Sequence, residues 1–204
     1  MRSLLPLLPK PSRYAGIEDN ACRKNPEDVR LRVALAFPDT YDVGMSYLGQ
    51  KILYNIVNSE PRWWAERVMA PEKEAAEILR AHNTPLATLE SDTPLRSMHC
   101  LSFSITHELC YTNVLYMLDL AGIRRTADRP QSLAQCPLVI AGGGALLSAE
   151  PLTPFVDIMV LGDGEESLPD VLRMLEKALE QGLTRDEMLL QSRTIPGVYV
   201  PSLF

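Results

Sequence analysis

The stretch Pro137–Ser167, PLVIAGGGALLSAEPLTPFVDIMVLGDGEES, predicts the fold of this chain more directly than any other segment. It contains two short apolar runs, Leu138–Ala141 and Ile158–Leu161, and each run leads directly into glycines. Apolar runs of this length that end at turn residues are typical of fully buried strands. Glycine after such a strand permits a sharp turn and the close approach of a ligand. Because ligands of open parallel sheets bind outside the carboxyl ends of the strands, these two corners are the first candidates for a site.

Strand and helix patterns alternate along the rest of the chain. This alternation predicts a doubly wound α/β fold, and five strands with helices on both faces favour a flavodoxin-like, mainly parallel sheet of order 2-1-3-4-5. The order 3-2-1-4-5 of dinucleotide-binding folds requires G-x-G-x-x-G after the first strand, and the sequence there, FPDTYDVGMSYLG, lacks it. The predicted strands are Arg30–Phe37, Ala65–Ala70, Met98–Ile105, Leu138–Ala141 and Ile158–Leu161.

Three segments are predicted along the chain. Residues 1–28, which are rich in proline and of mixed charge, are expected to form an N-terminal arm or an irregular cap. Residues 29–183 are expected to form the α/β domain. Residues 184–204 are expected to form a short helix, opened by the capping-box pattern Thr184-x-x-Glu187, and a linker that contains a small strand at Val198–Val200. Inside the domain, Pro38–Met45 is predicted as a loop, and Trp63-Trp64 as a hinge or an exposed contact.

The composition is that of an ordinary globular protein. The 204 residues are 46% hydrophobic and 23% charged, with a net charge of −6. Because no stripe of Lys and Arg is present, direct nucleic-acid binding is not expected. No apolar run approaches the roughly 18 residues of a membrane span, and the N-terminus does not resemble a cleavable signal. The four cysteines show no CxxC spacing, so we expect reduced thiols, a cytoplasmic location and no membrane contact.

The candidate binding residues follow from the predicted strand order. In a 2-1-3-4-5 sheet the crevice lies between strands 1 and 3 and is flanked by strand 4, so the loops after these strands should converge there. Two serines alternate along the third strand, which places both on one face of the sheet. The candidate cofactor-binding residues are Asp39, Thr40, Tyr41, Gly44, Met45, Ser102, Ser104, Gly142, Gly143, Gly144, Gly162, Asp163 and Gly164.

Other possible sites are less well supported by the residue pattern. His107 and Cys110 are spaced to share a helix face, but no second cysteine pair lies nearby in sequence, so no metal site is expected. No Ser occurs in a G-x-S-x-G elbow, and no catalytic residue is assigned. Glu165 and Glu166 are best interpreted as favourable charges at a helix N-terminus. They would also repel the phosphate of a flavin mononucleotide.

Several blocks of the sequence together resemble a known family. The blocks are LRVALAFPDTYDVGMSYLGQKILYNIVN (31–58), WAERVMAP (64–71), LSFSITHELCYTNVLYMLDLAGI (101–123), the stretch 137–167 and the terminal IPGVYVP. They resemble the N-terminal region of a family of large bacterial radical SAM proteins of unassigned reaction. That region is similar to the cobalamin (B12)-binding domains that precede the radical SAM barrel in many such enzymes. The resemblance covers roughly residues 25–204, and the AGG…PE and GDGEE corners are its most widely shared features.

Two departures from the resemblance limit what it implies. The cluster motif CxxxCxxC is absent, so the [4Fe–4S] cluster and S-adenosyl-L-methionine are expected only in a C-terminal radical SAM domain of the full-length chain, which would be the partner of this region. The cobalamin motif DxHxxG is also incomplete, because Tyr41 stands where the histidine would be. The resemblance therefore implies cobalamin held base-off, without a histidine ligand.

Three hypotheses from different classes remain open at this stage. The first is a cobalamin-binding module of a radical SAM enzyme, with Ser104 in reach of the nucleotide tail and no catalysis by this region alone. The second is a degenerate B12-like fold that binds no cofactor and serves in docking or substrate recognition, which the bulky Tyr41 and Met45 favour. The third, a flavin mononucleotide or small-anion binder, is the weakest because no Ser/Thr-rich phosphate loop follows the first strand. None of them assigns a substrate.

Overall fold

A single mixed sheet with helices on both faces organises the chain. The computed structural model describes residues 1–204. The helices are α1 (Tyr41–Ser46), α2 (Leu48–Ser59), α3 (Lys73–Ala81), α4 (Tyr111–Leu120), α5 (Gly164–Gln181) and α6 (Arg185–Ser192). None of them is both long enough and apolar enough to cross a membrane. The strands are β1 (Leu31–Phe37), β2 (Trp63–Met69), β3 (Cys100–Ser104), β4 (Leu138–Gly142), β5 (Ile158–Val160) and β6 (Val198–Tyr199).

The sheet is mostly parallel, which confirms the predicted α/β class. Its order is β2-β1-β3-β4-β5-β6, and every neighbouring pair up to β5 runs parallel. The predicted five-stranded sheet is wrong, because β6 adds a sixth strand antiparallel to β5. Beside this pair, the amide of Leu161 also donates to the carbonyl of Gly197 at 2.7 Å. This short strand hydrogen-bonds to the edge of β5, whose backbone groups would otherwise be unpaired.

Alternation along the strands divides the core into two layers. Leu31, Val33 and Leu35 of β1 belong to a buried cluster with α2, α5 and α6, whereas Ala34 and Ala36 belong to a second cluster with α3 and α4. Successive side chains of a strand point to opposite faces of the sheet, so both faces of β1 are buried. The central strands are therefore apolar throughout, as a doubly wound fold requires.

The N-terminal segment packs against this body. Residues 1–28 form short 3-10 turns, and Met1, Leu4, Leu8 and Tyr14 are buried in the same cluster as α3 and α4. The domain boundaries at residues 28 and 183 stay predictions. The capping box that opens α6 is present, with the Thr184 hydroxyl accepting from the amide of Glu187 at 3.3 Å.

Two local predictions in the first third of the chain are wrong. Tyr41–Ser46 is helix α1 rather than loop. Trp63 and Trp64 are neither a hinge nor an exposed contact, because both begin β2 and each is only 3% exposed. The Trp63 indole donates to the Glu176 carboxylate of α5 at 3.2 Å, and the Trp64 indole donates to the carbonyl of Cys22 at 3.0 Å. Burial is possible because each polar indole N–H has an acceptor.

A buried carboxylate holds together the amino ends of β4 and β5. Asp157 Oδ2 accepts from Arg129 Nη1 at 2.7 Å, from Arg185 Nη1 at 3.0 Å and from the amide of Val139 at 2.7 Å. The side chains of all three charged residues are at most 3% exposed. Burial lowers the pKa of Arg129, and the Asp157 charge opposes this effect. The cluster joins the segment before β4, the start of β5 and helix α6.

Substitution of Asp157 with Asn is expected to destabilise the fold strongly. It removes the only carboxylate between two buried guanidinium groups, and breaking a buried ion pair from one side costs about 3–5 kcal/mol. Urea unfolding followed by circular dichroism measures the change. The matched control is Asp128→Asn, which breaks an exposed pair with Arg125 and should cost less than about 0.5 kcal/mol. A loss for Asp157→Asn as small as that of the control would contradict the structural role of Asp157.

Candidate functional site

A cleft of about 470 Å³ opens at the carboxyl ends of β3, β4 and β5. Its volume lies within the range of about 300–1,000 Å³ that is usual for small-molecule sites. It sits one strand further along the sheet than the predicted crevice between the first and third strands. The predicted residues that line it are Ser102, Ser104, Gly142, Gly143, Gly144, Gly162, Asp163 and Gly164.

The glycines of this wall differ in what requires them. Gly143 has φ +120°, and a Cβ there would lie 2.3 Å from the carbonyl oxygen of Ile105, so the chain can turn only with glycine. A Cβ on Gly142 or Gly144 would meet no atom within 4 Å. Gly162 also faces open space, although its φ of +105° disfavours other residues. Packing therefore requires Gly143, whereas Gly142 and Gly144 leave a surface bare of side chains beside the cleft.

The third strand supplies the polar floor of the cleft. Ser102 and Ser104 both line it, as their alternation along the strand predicts. In the sheet register, Ser102 lies beside Ile140 and Ser104 lies beside Gly142, so both serines border β4. Neither hydroxyl makes a side-chain hydrogen bond within the protein, and both are free to donate to or accept from a ligand.

The predicted residues of the loop after β1 do not line this cleft. Asp39, Thr40, Tyr41, Gly44 and Met45 belong to α1 or immediately precede it, and none of them borders the cleft. Arg13 forms an ion pair with Asp42, and a Cβ on Gly44 would lie 2.8 Å from Met69. These contacts hold α1 away from β4.

Tyr41 is engaged with the N-terminal segment. Its hydroxyl donates to Glu18 Oε1 at 2.8 Å. Burial together with this hydrogen bond raises the pKa of Tyr41 to about 12. The neighbouring Met45 contacts Arg67 through its sulfur at 3.7 Å. Neither bulky side chain lines the cleft.

Apolar residues that the sequence did not single out complete the lining. Tyr47 immediately precedes α2 and Leu53 lies in its middle, and Leu146 and Leu147 come from the 3-10 turn that begins at Gly144. Leu147 is 91% exposed. The segment GALLS (144–148) could have indicated part of this lining. Neighbouring side chains in a turn point in different directions, so two adjacent leucines after a glycine corner are not both expected in the core. Tyr47 gave no such signal, since its position depends on the break between α1 and α2.

The charge on the cleft is negative. Asp163 and Glu165 line it, and no Lys, Arg or His does. Asp163 is the N-cap residue of α5, yet its side chain makes no capping hydrogen bond. Glu165 lies in the first helical turn, where a carboxylate is favourable for the helix dipole.

The histidine and cysteine side chains lie outside the cleft. His107 and Cys110 approach within 3.4 Å, but Cys110 is buried and burial raises its pKa. Burial likewise raises the pKa of the Cys100 and Cys136 thiols. His99 Nδ1 accepts from the amide of Arg32 at 2.9 Å. No three His, Cys, Asp or Glu side chains come together in the way that a metal ion needs.

Comparison with known proteins assigns the family. The sequence profile described as "Radical SAM proteins, N-terminal" matches residues 49–201, which is about three quarters of the chain. The match includes β2 to β6 and both glycine corners of the cleft. No curated protein matches the chain significantly. The chain therefore belongs to the family of radical SAM protein N-terminal regions.

Proposed function

We propose that the cleft binds cobalamin and that this chain is the corrinoid-binding module of a radical SAM enzyme, with no reaction of its own. The observation that carries the proposal is the bare surface at Gly142 and Gly144, which folding does not require. Glycines without a packing role are expected where a ligand approaches the backbone closely. Their place at the carboxyl ends of parallel strands is where ligands of such sheets bind.

The chemistry of the lining suits a large flat ring with polar edges. Leu53, Leu146 and Leu147 offer apolar surface to the face of a corrin ring. The hydroxyls of Ser102 and Ser104 can hydrogen-bond to the amide groups at its edge. No histidine lines the cleft, so the cofactor would be held base-off without a protein ligand to cobalt. A bound corrinoid would supply methyl-transfer or related carbon-centred chemistry.

The family membership suggests where the remaining cofactors would lie. This chain has no CxxxCxxC motif, so a [4Fe–4S] cluster and S-adenosyl-L-methionine would be held by a radical SAM domain. We propose that domain as the partner of this one. The parent enzyme would then be a radical SAM enzyme whose substrate the cleft does not reveal.

Docking without a cofactor is the second candidate function. Leu147 is 91% exposed and Leu109 is 83% exposed, and they lie in the segments that follow the carboxyl ends of the neighbouring strands β4 and β3. Exposed apolar side chains that lie together favour a contact with another protein surface. The cleft remains open, however, and Tyr41 and Met45 do not fill it. The cobalamin proposal is therefore the better supported of the two.

The purified protein is expected to retain hydroxocobalamin. After incubation and desalting, the visible absorbance of the protein fraction should show about one equivalent of corrinoid with a spectrum altered from that of the free form. Heat-denatured protein treated in the same way is the control for trapping. If neither this chain nor a chain that also carries a radical SAM domain retains any corrinoid, the cobalamin proposal is wrong and the docking function is favoured.

Substitutions in the glycine wall should separate binding from folding. Gly142→Leu and Gly144→Leu place a side chain in open space, so we expect at least a tenfold weaker corrinoid affinity with a change in unfolding free energy below about 1 kcal/mol. Gly143→Ala is the matched contrast. Its methyl group collides with Ile105 O at a positive φ, so it should cost about 3 kcal/mol or more of stability.

Corrinoid titration and urea unfolding of the same samples measure both quantities. Unchanged affinity in both leucine variants would show that the bare surface is not the binding surface.

A further inference from the structure

The cleft has no group that can neutralise an anion. Its only charged side chains are the carboxylates of Asp163 and Glu165. The basic side chains of Lys51 and Arg67 do not line the cleft, because they border a separate pocket of about 120 Å³ beside α2. Arg173 of α5 is paired with Asp170 at 2.6 Å. A phosphate in the cleft would therefore meet negative charge without a counter-ion.

The N-terminus of α5 does not reverse this balance. A helix N-terminus carries the equivalent of about half a positive charge, which by itself would attract an anion. The two carboxylates that line the cleft oppose it here, because Asp163 is the N-cap and Glu165 lies in the first turn. The field at this end of the cleft is therefore negative in sign.

We propose that Asp163 and Glu165 repel the phosphate of a nucleotide tail where it approaches the cleft, so that the cleft selects corrinoids without an anionic tail. This inference rests on the proposed function. The edge amides of a corrin ring donate hydrogen bonds that carboxylates and serine hydroxyls accept. A nucleotide tail adds a phosphodiester, and Ser104 can offer it only one uncharged hydroxyl.

The experiment compares two corrinoids that share the ring. Diaquacobinamide lacks the nucleotide, and aquacobalamin carries it. Equilibrium dialysis at low salt, where the screening length is about 30 Å, gives the ratio of their dissociation constants. Releasing the lower base of cobalamin contributes to this ratio, but that cost belongs to the ligand and is the same for every protein variant. The change of the ratio between variants therefore reports on the carboxylates alone.

In the double variant Asp163→Asn, Glu165→Gln, the ratio of the aquacobalamin to the diaquacobinamide dissociation constant is expected to fall about tenfold. The positive charge of the metal-bound ring is common to both ligands, so its lost attraction cancels in this ratio. The matched control is Glu166→Gln. This residue lies in the same helical turn but faces a different groove, which Glu60 and Asp170 also line. It should leave the ratio within about twofold of its original value. Raising the salt to about 1 M should bring the unmodified protein towards the double variant.

The two proposals fail in different ways. A ratio of dissociation constants that is unchanged in the double variant and insensitive to salt, with corrinoid still bound, overturns the selection by Asp163 and Glu165 and leaves the corrinoid function standing. An equal change in Glu166→Gln also overturns it, because the effect would then belong to the net charge of the chain. Retention of neither corrinoid by any variant overturns the proposed function, and the selection with it.

Discussion

The placement of the candidate site depends on the hydrogen bonds that the Asp157 carboxylate accepts. It is the shared acceptor of two buried arginines and of the Val139 amide in β4. The remaining donors of Arg129 and Arg185 reach the carbonyls of Phe155 and Cys136. The segment before β4, the start of β5 and helix α6 are thus fixed to one point. Because the two strands run parallel, fixing their amino ends also fixes the register of their carboxyl ends, where the glycine corners lie.

Stability and the candidate site occupy opposite ends of the same strands. The amino ends of β4 and β5 are closed by a charged cluster whose members are almost fully buried. The carboxyl ends are open, with hydroxyls, bare backbone and leucines around a cleft. Such a division lets the walls of the cleft change without loss of the fold, except at Gly143 and Gly162, where the positive φ of the backbone is itself the constraint. The same glycine corner contains one position set by folding and two that are not.

The sequence was a good guide where local pattern and local structure coincide. The apolar runs of β4 and β5 end in glycine, and α5 ends at Gly182 in the left-handed conformation that favours this residue. The sequence was a poor guide where distant contacts decide. The path after β1 is set by Arg13 and Glu18, which lie more than twenty residues earlier. The small strand predicted at Val198–Val200 is present as β6, but its two residues carry too little pattern to predict the antiparallel pairing with β5. The cofactor itself stays a prediction.

A glycine that the fold requires and a glycine that it does not require are expected to change differently during evolution. An alanine at Gly143 is excluded by the Ile105 carbonyl in any protein with this turn. A side chain at Gly142 or Gly144 would meet no such obstacle, so substitution there should have little effect on folding. Neutral drift would therefore fill these two positions with larger residues in any lineage that has lost its ligand, while Gly143 would persist. Among related sequences, the outer two glycines would therefore report on selection for a ligand, and the central one on selection for the fold.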